Sequence, residues 1–400
     1  MESSPEAISR YAWIRSIRQS KNIAFCGCTD GLDEFQVTIK SDVEIQGELK
    51  VGACLHVYGW HSKTPKGLYE FEVISINVIG PSDDDFPIQP KEHTDDFLRT
   101  IPELRGRSLK YAKRWKVRSI ASRAIHHFME RKGYHQYFTP IITQADCEGA
   151  GETFEVSSDW LKESLTVSGQ LHLEAGMMSL GNVYTFSPCF RAEKSATKKH
   201  LAEFWMLEVE SYFMTAGLHQ MMQFGEDLIK HVILQVSSLD SDPAAFILEK
   251  SGSHWQDKPW MRLSYDRVCE EFWLKWGDDI NSELEKAITD KYGPTFITHY
   301  PKEMKPFYML KDDRHAICFD LIMPKVGELI GGSSREYRHD KLKKSMMETG
   351  MDMEKMQWYL NTRRWGSIPH SGFGLGFERL LMYLTDAEKV HDVIPFPVSY

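Results

Sequence analysis

The sequence predicts an α+β fold in two parts, a small N-terminal β-barrel and a larger domain that mixes strands with helices. Two observations carry that prediction. Residues 9–80 consist of short stretches alternating apolar with polar or small residues, separated by turn signals. From Lys110 the apolar spacing becomes that of a helix, with Ile120, Ala124, Ile125, Phe128 and Met129 recurring on one face. Between the two parts, Pro81, Pro87 and Pro90 with Asp83, Asp84 and Asp85 form a segment that cannot bury a core. The expected division is a barrel over 1–80, a linker or hinge over 81–100 and a second domain over 101–400.

In the barrel, residues 23–29 and 35–40 alternate, with Asp30-Gly31 marking the turn between them. Residues 51–60 and 69–78 supply two more strands around a turn-rich stretch at 62–67. Short strands packed this densely fit an OB-fold. The helix that starts near Lys110 ends near Gly133, and residues 137–143 read as extended around Pro140. Strand-like pieces follow at 165–167, 183–186 and 204–214, then a strongly amphipathic helix at 216–236. Residues 237–300 read as a Trp-rich mixed insertion with a helix near 280–292. Strands are expected at 316–323 and 372–376, and helices at 351–358 and 377–384.

Composition excludes several classes. With 42% hydrophobic and 26% charged residues the chain has an ordinary globular balance. No apolar run reaches the ~20 residues of a membrane span. The first twenty residues carry Glu2, Glu6, Arg10, Arg15 and Arg18 and lack the apolar stretch of a secretory signal. The expectation is a cytoplasmic chain without a membrane partner. Seven cysteines are scattered, and the close pair Cys26 and Cys28 has no second pair, so neither a zinc nor a disulfide framework is expected. A net charge of −9 disfavours indiscriminate nucleic-acid binding. It leaves room for an RNA gripped by local patches, such as Arg105 to Arg123 or Lys341, Lys343 and Lys344.

Three segments carry chemistry. From Phe190 to Glu208, one strand delivers Arg191 and Glu193, a polar turn follows, and a second strand delivers Glu203 and Phe204. Charges heading into an apolar neighbourhood are costly unless paired or used. Arginine suits phosphate, and phenylalanine offers a flat face to a purine. The second segment runs from His370 to Arg379. Gly372, Gly374 and Gly376 let the backbone approach a ligand, and Arg379 opens a helix. In the third, Asp320 and Glu328 stand near strand ends, able to hold a hard cation such as Mg²⁺ that bridges phosphates, and Arg335 follows Gly331-Gly332-Ser333-Ser334.

Together these segments resemble the three motifs of class II aminoacyl-tRNA synthetases. The helix running to Pro140 is similar to motif 1, the 190–208 hairpin to motif 2 and residues 374–379 to motif 3. With a barrel in front, the chain resembles the subgroup that charges aspartate, asparagine and lysine. The stretches 200–208, 327–333, 373–379 and 392–397 resemble the asparaginyl members in particular. The resemblance implies an antiparallel catalytic sheet flanked by helices, and ATP and Mg²⁺ as reactants. It also implies L-asparagine and tRNA(Asn) as partners, and a homodimer through the motif 1 helix and the Pro140 strand.

It implies roles as well. Arg191 would hold the α-phosphate and the amino-acid carboxylate. Phe204 and Arg379 would sandwich adenine, beside Gly374 and Gly376. Glu193 and His200 would orient the nucleotide, and Asp320 and Glu328 would hold Mg²⁺. Glu148 and Gln170 would receive the substrate amino group. Aspartyl enzymes carry a lysine in the loop matching residues 168–174, where this chain has Leu173 followed by Glu174. Glu174, with Ser168 and Arg335, is therefore expected to read the amide. Ser334 stands where relatives usually have glutamine. In the barrel, Phe25 and Gln36 match an anticodon-stacking phenylalanine and a base-reading glutamine; a core position for Phe25 is the alternative. Other readings are an aspartyl enzyme, including a non-discriminating one, an inactive RNA-binding paralogue, or an enzyme making free asparagine.

Overall fold

The computed structural model describes residues 6–31, 33–63, 69–144, 153–193, 197, 200–212, 217–238 and 258–398. It divides into two compact units, Met1–Ala112 and Lys113–Tyr400.

The first unit contains β1 (Ile8–Gln19), β2 (Ile23–Thr29), β3 (Glu34–Lys40), β4 (Ile45–Gln46), β5 (Cys54–Lys63) and β6 (Tyr69–Gly80). They run in the order β3-β2-β1-β5-β6-β4, and a β3–β6 pairing closes the barrel. Alternation sets what points inward. Cys26, Cys28, Val37, Ile39, Leu55, Val57, Phe71 and Val73 are buried together. Burial pushes the Cys26 thiol up to about 11 and raises Cys28 as well, so both are inert core thiols.

The stretch after the barrel packs on it. Gly52 sits at φ +92°, where a Cβ would lie 2.8 Å from the Phe86 ring. The Arg107 guanidinium stands 4.8 Å from the centre of that ring and donates to the Gly52 carbonyl at 2.6 Å. Residues 81–100 are thus not a bare tether, and α1 (Asp95–Arg99) and α2 (Pro102–Arg105) continue the first unit to Ala112. Arg105 and Arg114 are buried, which breaks the basic run as a solvated stripe.

The next elements are α3 (Leu109–Arg131), β7 (His135–Gln136), β8 (Ile142–Thr143), β9 (Glu155–Ser157), β10 (Lys162–Leu165), α4 (Gln170–Leu180), β11 (Val183–Phe190), β12 (Glu203–Tyr212) and α5 (Leu218–Ser237). Then come β13 (Met261–Ser264), α6 (Tyr265–Phe272), α7 (Ser282–Tyr292), β14 (Thr295–Thr298), β15 (Cys318–Met323), β16 (Gly327–Ser334), α8 (His339–Glu348), α9 (Gln357–Asn361), β17 (His370–Gly376) and α10 (Phe377–Thr385). The main sheet runs β13-β14-β15-β16-β17-β12-β11-β7, antiparallel from β14 to β11; a small sheet runs β8-β10-β9.

Two expectations change. The described part of 237–300 is no appendage, because β13 and β14 extend the main sheet and Phe296 lies in its core. The helix expected at 351–358 is confined to α9. Asp352 Oδ1 accepts the N–H groups of Glu354 and Lys355, and this local turn competes with helix formation. A separate helix, α8, precedes it at His339–Glu348, which the spacing did not reveal.

The two faces of the main sheet differ in character. Along β12, Leu207 and Val209 join Phe319, Leu321, Ile330, Phe373 and Leu375 in the core against α3, α5 and α10. The alternate residues Phe204, Met206, Glu208 and Glu210 point to the other face. Register places Glu208 opposite Gly374, Gly374 opposite Gly331, and Gly331 opposite Asp320. The neighbouring row runs Glu210, Gly372, Ser333, Cys318. A glycine floor therefore lies between walls that carry carboxylates. No helix among the described residues is long and apolar enough to cross a membrane.

A methyl at Gly372 would overlap the Val209 carbonyl and the Glu210 carboxylate. Backbone in a paired strand cannot yield, so Gly372→Ala is expected to lower unfolding free energy by roughly 2–4 kcal/mol. Chemical denaturation measures it.

Candidate active site

The β11–β12 hairpin ends at the first cluster. Cys189 pairs with Phe204 and Phe190 with Glu203, so Arg191 emerges beside the Phe204 ring, 5.4 Å from its centre. Glu193 and His200 face each other across the hairpin tip at 3.9 Å, and Thr197 bonds His200. From the other side of β12, Glu378 accepts the Trp205 N–H at 2.9 Å and pairs with Arg118 at 2.9 Å. That fixes the first turn of α10, with Arg379, beside the strand that carries Phe204. Arg379 Nη1 donates to the Glu328 carbonyl at 2.5 Å.

A second cluster lies across the glycine floor. A Cβ on Gly331 would stand 3.2 Å from Glu328 Oε1 and 3.5 Å from Asp320 Oδ1, so both carboxylates lean over the same position. Lys305, unremarked in the sequence, donates from Nζ to Asp320 Oδ2 at 2.6 Å and sits 3.9 Å from the Tyr300 ring centre. Burial works against its charge, but Asp320 outweighs it and holds the ammonium above its ordinary range. Glu328 is open to solvent at its surface, yet the protein walls around its carboxyl and the charge of Asp320 push it upward. Glu285 on α7 accepts the Glu328 N–H at 3.0 Å. Among the described residues no three His, Cys, Asp or Glu converge as a protein-only metal cage. Two carboxylates still fit Mg²⁺, which keeps waters and substrate phosphates as its other ligands.

The third cluster is buried. Glu208 accepts from the Ser168 hydroxyl and from the Gly169 N–H at 2.7 Å, which anchors the turn into α4. Glu210 Oε1 receives Arg335 Nε at 2.9 Å and Nη2 at 2.5 Å, and Arg335 Nη1 donates to Ser333 at 2.8 Å. Glu210 Oε2 is buried and has no hydrogen-bond partner among the described residues. Burial, with Glu174 adding repulsion against the pull of Arg335, pushes Glu210 up to about 7.

Glu174 is engaged on both oxygens. Oε1 accepts from Gln170 Nε2 at 3.1 Å, and Oε2 from Tyr359 at 2.7 Å and from Arg363. Burial would raise Glu174, but Arg363, His370 and Arg335 together hold it below the usual carboxylate range. Both Glu174 oxygens, expected to read the amide, already accept protein hydrogen bonds, whereas Glu210 beside them keeps one buried oxygen without a partner among the described residues. Glu148 lies outside the described residues.

The sequence family described as tRNA synthetases class II (D, K and N) matches residues 98–400, and an OB-fold nucleic acid binding domain matches residues 10–79. An asparagine–tRNA ligase of Lawsonia intracellularis is 41% identical, with 96% of this chain and 93% of that protein covered. The corresponding ligase of Phytoplasma australiense is 39% identical, covering 97% and 95%. The chain belongs to the asparagine–tRNA ligase family. Among solved structures, the asparaginyl-tRNA synthetase of Pyrococcus horikoshii complexed with asparaginyl-adenylate superimposes with a TM-score of 0.92. It shares 30% identity and covers 100% of this chain and 96% of that one.

Along the trough above the glycine floor, Ser168 bonds Glu208, Gln170 bonds Glu174 and Arg335 bonds Glu210; Arg191 stands beside Phe204, Asp320 and Glu328 lean over Gly331, and Arg379 bonds the Glu328 carbonyl. Phe25 and Gln36 lie on the barrel. Phe25 is half-buried and outside the barrel's core cluster, and Gln36 Nε2 reaches Glu70 at 3.4 Å. Sequence reasoning passed over Glu210, Lys305, Tyr359 and Arg363. Glu210 had a signal, the alternation of Glu208 and Glu210 with Leu207 and Val209.

Arg335→Leu would leave Glu210 buried without its counter-charge. A stability loss of about 3–5 kcal/mol near neutral pH is expected. In the folded variant Glu210 keeps its proton to a higher pH than in the unfolded chain, whose value is near 4.5. The folded state then binds more protons, so stability falls as pH rises above that value. Thermal unfolding from pH 5 to pH 8 should show the deficit growing with pH.

Proposed function

We propose that this chain activates L-asparagine with ATP and transfers the asparaginyl group to tRNA(Asn). The observation that carries the reading is the buried Arg335–Glu210 pair. It offers guanidinium donors beside one vacant carboxylate oxygen, complementary to an amide that accepts at oxygen and donates at nitrogen. Asparagine–tRNA ligases among the relatives, and the adenylate in the Pyrococcus horikoshii complex, support it.

The residues then divide the work. Arg191 binds the α-phosphate and the amino-acid carboxylate with its planar fork. Phe204 stacks on adenine and Arg379 covers the opposite face. Glu193 and His200 hold the nucleotide at the hairpin tip. Glu208 fixes the Ser168–Gly169 turn that presents Gln170 to the substrate amino group. Asp320 and Glu328 would hold Mg²⁺, which supplies charge neutralisation at the phosphates. A carboxylate oxygen of asparagine attacks the α-phosphorus in line, and pyrophosphate leaves with the bonding electrons. The terminal ribose hydroxyl of the tRNA then attacks the acyl carbon and AMP departs. Positioning and fixed charge carry both steps, without a side-chain nucleophile.

The barrel reads the anticodon through Phe25 and Gln36. A homodimer forms through α3 and the Pro140 segment, where Phe138, Ile141 and Ile142 are exposed apolar side chains. The reaction belongs in the cytoplasm, in keeping with free thiols at six described cysteines.

ATP–pyrophosphate exchange without tRNA should depend on asparagine and not on aspartate. Equal rates, or none with either, would overturn the reading. Phe25→Ala should raise KM for tRNA and leave that exchange intact. Glu210 is faced by Arg335, Glu174, His370, Arg363 and Tyr134. Protonating it as pH falls through about 7 removes a negative charge from the subsite. The asparagine-to-aspartate ratio of kcat/KM should therefore drop between pH 8 and pH 6.

A further inference from the structure

We propose that Lys305 is a positioning residue of the Asp320–Glu328 metal site: its ammonium gives Asp320 a fixed counter-charge, so a divalent cation binds firmly only together with the nucleotide's phosphates. The inference rests on the Mg²⁺ reading of Asp320 and Glu328 and adds a residue to it. Lys305 Nζ donates to Asp320 Oδ2 at 2.6 Å, and the two side chains are only 16% and 12% exposed. The other Asp320 oxygen, Oδ1, leans with Glu328 Oε1 over Gly331. The ammonium thus holds one oxygen of the carboxylate whose other oxygen lies beside Glu328. An ammonium has donors and no acceptor, so it cannot ligate a metal. Its effect on the ion passes through Asp320.

The position of Lys305 is fixed from several directions. It follows the short turn Lys302–Met304 and precedes Pro306. Its carbonyl receives Lys311 Nζ at 2.8 Å. Its ammonium stands 3.9 Å from the Tyr300 ring centre, close enough for cation–π attraction. Bridges from Pro301 to His315 and from Lys311 to Ala316 tie this turn to the chain entering β15. The other groups around the carboxylates leave Asp320 to Lys305. Burial, with Asp320 and Glu328 adding repulsion, raises the Tyr300 hydroxyl well above its ordinary range. Burial pushes the Cys318 thiol up to about 11. Both therefore stay neutral. Arg379 and Glu285 act on Glu328 with opposite signs.

Two ionised carboxylates leaning over one position attract any divalent cation. A positive charge already held at Asp320 repels that cation at a range where salt screens little. The phosphates of ATP offset the repulsion, so metal and nucleotide bind together. Removing the ammonium should then tighten the site for a bare ion. A lysine that only braced the fold would show no such gain, and one that contacted phosphate would show weaker nucleotide binding instead.

The test measures Mn²⁺ binding to the full-length enzyme at pH 8 without nucleotide, read as loss of the free-ion electron paramagnetic resonance signal. Mn²⁺ takes the same oxygen ligands as Mg²⁺. Lys305→Met should bind Mn²⁺ at least about tenfold more tightly than wild type. Lys305→Arg, which keeps the charge, should stay within roughly threefold of wild type. Mg²⁺ should raise the Tm of Lys305→Met more than that of wild type, since tighter binding to the folded state stabilises it more. Mn²⁺ binding by Lys305→Met that is equal to or weaker than wild type overturns the proposal, as does equal tightening in the Met and Arg variants. If Lys305→Met folds only when Mg²⁺ is added, the proposal is supported. If it does not fold at all, Lys305→Arg decides: wild-type affinity supports the proposal and tighter binding overturns it. The metal reading is checked apart, with a non-hydrolysable ATP analogue present. Mn²⁺ binding unchanged by Glu328→Gln would remove that reading. Binding lost in Glu328→Gln, with no tightening in Lys305→Met, would remove only the role of Lys305.

Discussion

Alternation along β12 governs the layout of this molecule. Successive residues of a strand face opposite sides, so Leu207 and Val209 enter the core while Glu208 and Glu210 enter the trough. A slip of one position would bury the carboxylates among α3, α5 and α10 and put the leucine and valine in the ligand space. The partner strand is matched to that choice. β17 sets Phe373 and Leu375 on the core side and Gly372 and Gly374 on the trough side. Packing and site are consequently two faces of one register.

Carboxylates are tolerated in and beside this sheet because each has hydrogen-bond donors or a counter-charge. Glu208 is held by Ser168 and Gly169, Glu210 by Arg335, Glu174 by Arg363 and Tyr359, and Asp320 by Lys305. Such pairs contribute little net stability compared with apolar replacements, but losing one partner is expensive. They fix geometry instead. Glu210 keeps one oxygen uncommitted because Arg335 takes only the other.

Much of this was legible in the sequence where the relevant residues are contiguous. The hairpin with Arg191 and Phe204, the glycine-spaced strand before Arg379, and the barrel strands all announce themselves through local period and turn chemistry. The buried cluster could not be read in that way. Glu174 and Arg363 meet across 189 positions, and Arg335 and Glu210 across 125. Nothing local marks such residues as partners. Short strands were lost for a related reason: β13 and β14 each span four residues, too few to show a period, and gain their identity from neighbours in the sheet. At 351–358, apolar spacing suggested a helix; Asp352 instead accepts the N–H groups of Glu354 and Lys355 in a turn, and the helix starts only at Gln357.

The glycine floor has one more implication. Its backbone groups are consumed in pairing β17 with β12 and β16, so the floor offers a ligand room but few bonds. Recognition must come from side chains on the rims. Divergence toward a different amino acid can then proceed by exchanging a handful of rim residues, with the scaffold that holds the nucleotide left as it is. A sheet of this design separates the chemistry common to a lineage from the chemistry that distinguishes its branches.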